Sequence, residues 1–317
     1  MAAAIIRGVN TPPQRSSRVA AAGRVSRELP APITIGGRHF RWDERTYVMG
    51  IVNVTPDSFS GDGLGDNTDA AVRRAVKMRE DGADLIDVGG ESTRPGFTEV
   101  SADEEMRRVV PVIARLRHEL DIPISIDTYK AEVAKAAIEA GASLVNDVHG
   151  FLREPQIACV AAQAGIPAIA MYNHRGREFH DTIGDRVEGL LQSLAIAREH
   201  GLAEEQIIVD PGFNFGWKDD QALEMIRRLA ELRVLGRPIL IGTSRKSTIG
   251  NVLGGLPVED RLEGTAATVA IAIANGADMV RVHDVKQMTR VARIADAVVR
   301  PDGRPSGRGR NSEAAAL

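Results

Sequence analysis

The sequence predicts an α/β fold: a (β/α)8 TIM barrel with an N-terminal β-hairpin and flexible termini. Three observations carry that expectation. Eight short runs rich in Val, Ile and Leu recur along the chain with little polar alternation, as strands buried on both faces should. Longer amphipathic stretches follow them, several ending in Gly (Gly82, Gly141, Gly165, Gly201, Gly236, Gly276), the residue favoured just past a helix C-terminus. Finally, seven of the eight runs end in polar residues, which a barrel would gather on one rim. A doubly wound open sheet is the alternative. It is weakened by the lack of a Gly-x-Gly-x-x-Gly string after the first strand.

Taken in order, residues 1–31 form a flexible Arg/Ala-rich extension. Up to Arg27 it holds five arginines and no acid. That composition suits a disordered extension or a transit peptide, and the missing apolar h-region argues against a secretory signal. Residues 32–300 are the barrel, near the ~250 residues typical of the fold, and residues 301–317 are a Gly-, Pro-, Ser- and Arg-containing disordered tail. Gly36-Gly37, between two β-prone runs in residues 32–48, predicts the hairpin. The strands are expected at Tyr47–Val54, Asp84–Val88, Pro123–Asp127, Leu144–Asp147, Pro167–Met171, Gln206–Asp210, Pro238–Gly242 and Met279–His283. Helices are expected at Asp69–Glu80 behind a Thr68 cap, and at Ala102–Leu120 behind Ser101 with Glu104 as a capping box. The others are Lys130–Ala140, Pro155–Ala164, Asp185–His200, Asp219–Leu235, Val258–Asn275 and Val285–Val299.

Composition excludes several classes. The chain has 317 residues, 43% hydrophobic, with 40 basic and 43 acidic side chains for a net charge of -3. This is ordinary globular composition and argues against nucleic acid as the main partner. No apolar run reaches the roughly 18 residues a membrane span needs. The single cysteine, Cys159, excludes an intramolecular disulfide and a multi-Cys zinc site, and its apolar run makes it a core residue. A cytoplasmic location is expected, with organellar transit the alternative for residues 1–30.

The strand ends carry the chemistry. They are Asn53, the Gly89-Gly90-Glu91-Ser92-Thr93-Arg94-Pro95 loop, Asp127, Asn146-Asp147, Asp210, Thr243-Ser244-Arg245-Lys246-Ser247 and Arg281-Val282-His283-Asp284. Arg281 and His283, two apart on a strand, point to one side. Together with Arg245, Lys246, hydroxyls and a helix start they make an anion or phosphate site. Asp127, Asn146 and Asp210 require donors, which a flat heterocycle with ring N–H and amino groups supplies. A structural ion network between these acids and Lys246 or Arg281 is the bland alternative. Asn53 near a diphosphate suits a Mg2+ shell completed by phosphate oxygens and water. The Gly-rich loops after the first two strands suit closure over a substrate.

Read together, the strings resemble one family. Met49-Gly50-Ile51-Val52-Asn53-Val54-Thr55-Pro56-Asp57-Ser58-Phe59-Ser60 is similar to the first strand and loop of dihydropteroate synthases, and Asp87-Val88-Gly89-Gly90-Glu91-Ser92-Thr93-Arg94-Pro95-Gly96 to their second loop. Ser125-Ile126-Asp127-Thr128, Val145-Asn146-Asp147, Asp210-Pro211-Gly212-Phe213, Gly242-Thr243-Ser244-Arg245-Lys246-Ser247 and Arg281-Val282-His283-Asp284 follow in that family's order. The resemblance spans about residues 32–298. It implies a pterin-binding barrel of folate synthesis joining 4-aminobenzoate to 6-hydroxymethyl-7,8-dihydropterin diphosphate, with Mg2+ assisting, a homodimer and a sulfonamide target. It further implies that Asp127, Asn146, Asp210, Lys246 and Gly242 contact pterin. Asn53, Thr93, Arg281 and His283 are then implied for diphosphate, with Asn53 also for the metal. Arg94, Pro95, Phe215 and Ser247 are implied for 4-aminobenzoate, and Asp127, Lys246, Arg281 and His283 for catalysis. Tyr172-Asn173-His174-Arg175-Gly176 departs from the family's Met-His-Met-x-Gly, and Asn214 and Trp217 also depart. Two other readings are a pterin-binding methyltransferase domain and a non-catalytic paralogue. Neither accounts for the intact Ser-Arg-Lys-Ser, Arg-x-His and Thr-Arg-Pro strings.

Overall fold

The structure is a computed structural model that describes residues 29–55, 64–92 and 98–300. The expectations for the extension up to residue 28, for the tail from 301 and for Thr93, Arg94 and Pro95 lie outside the described residues.

The hairpin pairs β1 (Ile33–Ile35) with β2 (Arg38–Phe40) in antiparallel register. Gly36 and Gly37 turn between them at φ 54° and 76°, the double positive φ that a two-residue hairpin turn matching the strand twist requires. The main body then alternates β3 (Tyr47–Asn53), α1 (Leu64–Glu80), β4 (Leu85–Gly89), α2 (Ala102–Glu119), β5 (Ile124–Asp127), α3 (Ala131–Ala140) and β6 (Leu144–Asp147). It continues through α4 (Gln156–Ala164), β7 (Ala168–Met171), α5 (Gly184–Glu199), β8 (Ile207–Asp210), α6 (Asp219–Arg227) and β9 (Leu240–Ile241). The last elements are α7 (Ser247–Val252), α8 (Leu262–Ala274), β10 (Met279–Val282) and α9 (Val285–Val299).

Strands β3 to β8 pair in sequence, β10 pairs with β3, and β9 pairs with β10, all in parallel. A parallel bridge between Val209 and Ile239, with Val209 N–H donating to Pro238 O at 2.9 Å, joins β8 to β9 and completes the ring. Parallel strands require crossover helices, and these cover the outside of the barrel.

Alternation along each strand divides the ring into layers. Met49, Leu85, Leu144, Ile169, Ile208, Leu240 and Met279 point inward near the strand starts, where Ile33, Ile35, Phe40 and Trp42 of the hairpin region pack on them as a floor. Two residues further on, those strands present Ile51, Asp87, Asn146, Met171, Asp210, Gly242 and Arg281, and Asp127 stands beside Asn146 on β5. The spacing that fills the floor with apolar groups thus delivers polar groups to the mouth.

Some element boundaries differ from expectation. The first helix begins at Leu64, so Thr68 lies inside it and does not cap it; apolar periodicity sets in only with Ala71 and Val72, a turn later. The single stretch Asp219–Leu235 divides into α6 and a 3-10 segment Leu229–Leu235, and α8 starts at Leu262 behind a 3-10 turn. Helix α7 was hidden in a polar string too short for a periodic signal. Ser101 caps α2 as expected, its Oγ accepting Glu104 N–H at 3.2 Å. Cys159 is half-buried on α4 and takes a hydrogen bond from Gln163, so it is not a core residue.

Candidate active site

The strand ends build one constellation at the C-terminal mouth. Arg281 of β10 reaches across the ring: its Nε donates to Asp87 Oδ2 at 2.6 Å and its Nη2 to Asp127 Oδ2 at 2.5 Å. Asn146 Nδ2 donates to the same Asp87 oxygen at 2.9 Å. Cations and carboxylates therefore meet in one network; the sequence-based division into an acidic ring side and a basic phosphate side does not hold for Arg281. Asp87 is fully buried and was not picked out from sequence. The available signal was a lone carboxylate in the middle of the apolar strand Leu85–Gly89, two residues past an inward leucine.

Burial sets the proton affinities. It lifts the Asp127 carboxyl to about 7 against the pull of Arg281, with Asp87 and Glu105 adding to the rise. It lifts Asp210 to about 6, opposed by the Gly212 N–H, which donates to Oδ1 at 2.8 Å, and by Lys246. Burial disfavours the Arg281 cation too, but Asp87 and Asp127 outweigh it and hold the proton more tightly than usual. Lys246 falls to about 8, from burial first and Arg281 second, with Asp210 opposing. His283 falls to about 3 through burial and its neighbours Arg281, Arg245, Arg74 and Lys246. His283 is thus neutral at pH 7 and serves as a hydrogen-bonding group.

Ser244 positions that imidazole. Its Oγ lies 3.0 Å from His283 Nδ1 and also accepts the His283 backbone N–H at 3.1 Å. Arg245 does not face the mouth network as a free basic loop residue would; it pairs with Asp284 through Nε at 2.9 Å and Nη2 at 2.6 Å. Asn53 closes β3, separated from Asp127 of β5 by Gly89 of β4. A Cβ on Gly89 would stand 3.6 Å from Asp127 Oδ2 and 3.8 Å from Asn53 Oδ1, so this glycine keeps both oxygens on one shared space. Gly242 lies half-buried past β9, where a Cβ would be 3.7 Å from the Arg281 Cβ.

An apolar wall completes the mouth. Tyr129, Val148, Met171 and Phe215 form a buried cluster at this end of the ring. Phe215 lies beneath two cations, with Lys246 Nζ 4.2 Å and the Arg175 guanidinium 4.8 Å from its ring centroid. The loop carrying it is built on close backbone approaches: a Cβ on Gly212 would fall 1.9 Å from Tyr172 O. The Tyr172-Asn173-His174 departure supports this loop from below. His174 stacks on Trp217 at 4.0 Å, and the buried Arg186 guanidinium sits 3.5 Å from the Trp217 centroid. Ser247 is exposed at the start of α7, beside this wall.

A second ionic cluster went unnoticed in the sequence. Lys130 Nζ donates to Glu91 Oε2 at 2.7 Å and Glu105 Oε2 at 2.6 Å, and Glu91 also accepts Val100 N–H at 3.0 Å. It ties together the two ends of the loop that contains residues 93–97.

A mouth of this kind, with paired buried carboxylates, an amide, a guanidinium and an aromatic wall, recognises a flat ring rich in N–H groups and an attached anion. The sequence profile described as pterin binding enzyme matches residues 49–283. The chain belongs to the pterin binding enzyme family. It is 49% identical over 267 residues to the dihydropteroate synthase of Clostridium beijerinckii, covering 84% of this chain and 99% of that one. The crystal structure of a dihydropteroate synthase from Clostridium difficile in the presence of pteroic acid superposes with a TM-score of 0.80 at 48% identity, over 82% of this chain and 99% of that one. The Xanthomonas albilineans dihydropteroate synthase in complex with 7,8-dihydropteroate superposes with a TM-score of 0.78 at 37% identity, over 84% of this chain and 98% of that one.

Proposed function

We propose that this chain condenses 6-hydroxymethyl-7,8-dihydropterin diphosphate with 4-aminobenzoate, giving 7,8-dihydropteroate and diphosphate. The observation that carries the proposal is the Asp87–Arg281–Asp127 bridge with Asn146 at its side, set at the mouth of a pterin-family barrel. Asp127, Asn146 and Asp210 supply acceptors for the ring N–H and amino groups, and Lys246 and Gly242 complete that side of the pocket.

In the proposed reaction, the bond from the pterin methylene carbon to the diphosphate oxygen breaks and the electron pair leaves with diphosphate. The carbon cation is delocalised into the pterin, where the buried Asp127 carboxylate stabilises it electrostatically. The arylamine nitrogen then attacks that carbon and releases its proton to solvent. A neutral aromatic amine needs positioning more than a base. Arg281, Lys246 and the neutral His283 meet the leaving anion, together with Asn53 and Thr93. Phe215, Arg94, Pro95 and Ser247 hold the aminobenzoate.

Mg2+ belongs to the same proposal. Among the described residues no group of three or more His, Cys, Asp or Glu side chains could hold a metal ion. Asn53 offers a hard amide oxygen, which fits an ion that keeps most of its shell as water and phosphate oxygens. When bound, Mg2+ neutralises charge on the leaving diphosphate. Among the described residues no helix is long and apolar enough to cross a membrane. A cytoplasmic location is proposed on the match to bacterial relatives, and cell fractionation tests it. A homodimer is proposed on the exposed Ile271 of α8 and Ile294 and Val298 of α9, and sedimentation velocity tests it. Sulfonamide sensitivity follows if the aminobenzoate pocket is right, and inhibition competitive with 4-aminobenzoate tests it.

The deciding experiment is diphosphate release with both substrates, with and without 4-aminobenzoate. Release only when both are present, with 7,8-dihydropteroate formed in equal amount, is the expected result. No release with both sinks the proposal. Asp127→Asn should keep the fold and lower kcat by about a hundredfold or more; unchanged turnover removes Asp127 from the reaction.

A further inference from the structure

Asn214 stands in the loop between β8 and α6, next to Phe215, with φ at 70°. Among the described residues only Phe151, Asn214 and Arg245 are non-glycine residues in that left-handed region. Glycine would adopt the conformation at no steric cost, and asparagine tolerates it better than most side chains. The side chain at this position therefore calls for a reason beyond the turn itself.

Its amide supplies one. Asn214 Nδ2 donates to Ser247 Oγ at 2.6 Å, and Asn214 Oδ1 lies 2.6 Å from Thr248 Oγ1. The Thr248 hydroxyl, fully buried, is also 2.6 Å from Asp219 Oδ1 at the start of α6. Asp219 Oδ2 in turn accepts from Asn251 Nδ2 at 2.9 Å, one turn along α7. The single Thr248 hydrogen is shared between Asn214 Oδ1 and Asp219 Oδ1, while Asn214 Nδ2 gives a hydrogen to Ser247 Oγ and leaves that hydroxyl's own hydrogen free. The result is a polar bridge from the Phe215 loop to the first turn of α7.

We propose that Asn214 is a positioning residue for the second substrate: it fixes the exposed Ser247 hydroxyl beside the Phe215 loop so that its free hydrogen is presented to the carboxylate of the arylamine. This rests on the proposed condensation and on the place of Ser247 in it. Asn214 itself touches no reacting atom. Its effect is to spare the Ser247 hydroxyl and the loop from being ordered at each binding event, which is a preorganisation effect.

The geometry offers a clean test. Asn214→Gly keeps the backbone conformation and deletes only the bridge. Asn214→Asp removes the Nδ2 donor, so its carboxylate takes the Ser247 hydrogen for itself and places a negative charge beside the site of the incoming carboxylate. Steady-state kinetics of the full chain, varying each substrate in turn, should show KM for 4-aminobenzoate raised about five- to tenfold in Asn214→Gly, the size expected for one lost neutral hydrogen bond. KM for the pterin diphosphate should move less than about twofold, because the bridge touches Ser247 and Thr248 and none of Asp127, Asn146, Asp210 and Lys246. Asn214→Asp should raise KM for 4-aminobenzoate further than Asn214→Gly does. The preference for 4-aminobenzoate over uncharged 4-aminobenzamide should shrink in both variants, which a purely structural role would not cause. Parallel rises in both KM values, or an unchanged carboxylate preference in Asn214→Gly, overturn the proposal. Wild-type chain that forms no dihydropteroate would instead defeat the underlying reaction, so the two failures are told apart.

Discussion

The two poles of the barrel are made from the same strands and differ by one step of alternation. At the floor, Met49, Leu85, Leu144, Ile169, Ile208 and Met279 meet Phe40 and Trp42, with Trp42 only 1% exposed. At the mouth, the next inward residues on the same strands include Asp87, Asn146, Asp210 and Arg281. The floor gains stability from apolar burial and close packing. The mouth places charged groups where burial is unfavourable and offsets that only by pairing them. Stability and chemistry are thus separated along the barrel axis, over a distance of two residues.

The largest effect should come from breaking the mouth's central bridge. Asp87→Ala leaves the Arg281 guanidinium on Asp127 alone and removes the partner of Asn146. Loss of one member of a buried ion pair costs about 3–5 kcal/mol, and denaturant unfolding should show it. Turnover should fall by about a hundred- to a thousandfold where the protein is still folded, because Arg281 loses its fixed position. A stable, active Asp87→Ala variant would mean that the bridge is incidental.

At the floor, Trp42→Ala should be equally disruptive in one respect only. Deleting that ring, which packs edge-on to Tyr47 at 5.5 Å, should cost about 3–5 kcal/mol. At a temperature where the variant is folded, kcat and both KM values should stay within about twofold, since distant sites act independently. A selective loss of turnover there would erase the separation between the poles.

How far the sequence reveals each pole follows from the same alternation. The hairpin, the eight strands and α9 at Val285–Val299 were legible because apolar periodicity and Gly-Gly are local signals. Asp127, Asn146, Asp210 and Arg281 were legible as mouth residues because they lie at strand ends, and Lys246 because it lies in the polar loop after one. Asp87 was not, because it lies inside a strand and its partners are 59 and 194 residues away. Nor was the Ser244–His283 contact, spanning 39 residues, or the Lys130 cluster. The neutrality of His283 was equally hidden, since it depends on burial and on cations from two other segments besides its own strand. Tertiary proximity created each of these, and no local pattern encodes it.

Proton affinities sharpen the contrast, because the titratable groups shifted into the range near neutrality gather at the mouth. Burial places Asp210 at about 6, Asp127 at about 7 and Lys246 at about 8 in the free protein. If turnover needs both carboxylates and the ammonium, kcat/KM should follow a narrow bell, with Asp127 setting the acid limb near 7 and Lys246 the alkaline limb near 8. Lys246→Arg should move the alkaline limb out of range, since a guanidinium keeps its proton. Stability carries the opposite sign on the acid side. The fold raises Asp210 above its ordinary 3.8, so it binds that proton more tightly than the unfolded chain does. Its contribution is present below about pH 4 and is lost as pH rises through about 6. Asp210→Asn should flatten that part of the stability curve; an unaltered slope would mean that Asp210 does not carry the shift.

The smallest effect should come from the support under His283. Ser244 Oγ accepts the His283 backbone N–H at 3.1 Å, and its own hydrogen then faces Nδ1 at 3.0 Å, leaving the imidazole proton on Nε2. Ser244→Ala removes that constraint without adding bulk or charge. The ring keeps its neutral form, because burial and the surrounding cations set that, but it loses its fixed tautomer and orientation. Turnover should fall about three- to tenfold, the size of one neutral hydrogen bond, while the unfolding midpoint stays close to that of the parent. The His283 ring resonances followed by NMR should change from one tautomer to a mixture. An unchanged tautomer together with unchanged turnover would show that the ring is held by packing alone, and the mouth would then depend less on its polar contacts than its difference from the floor implies.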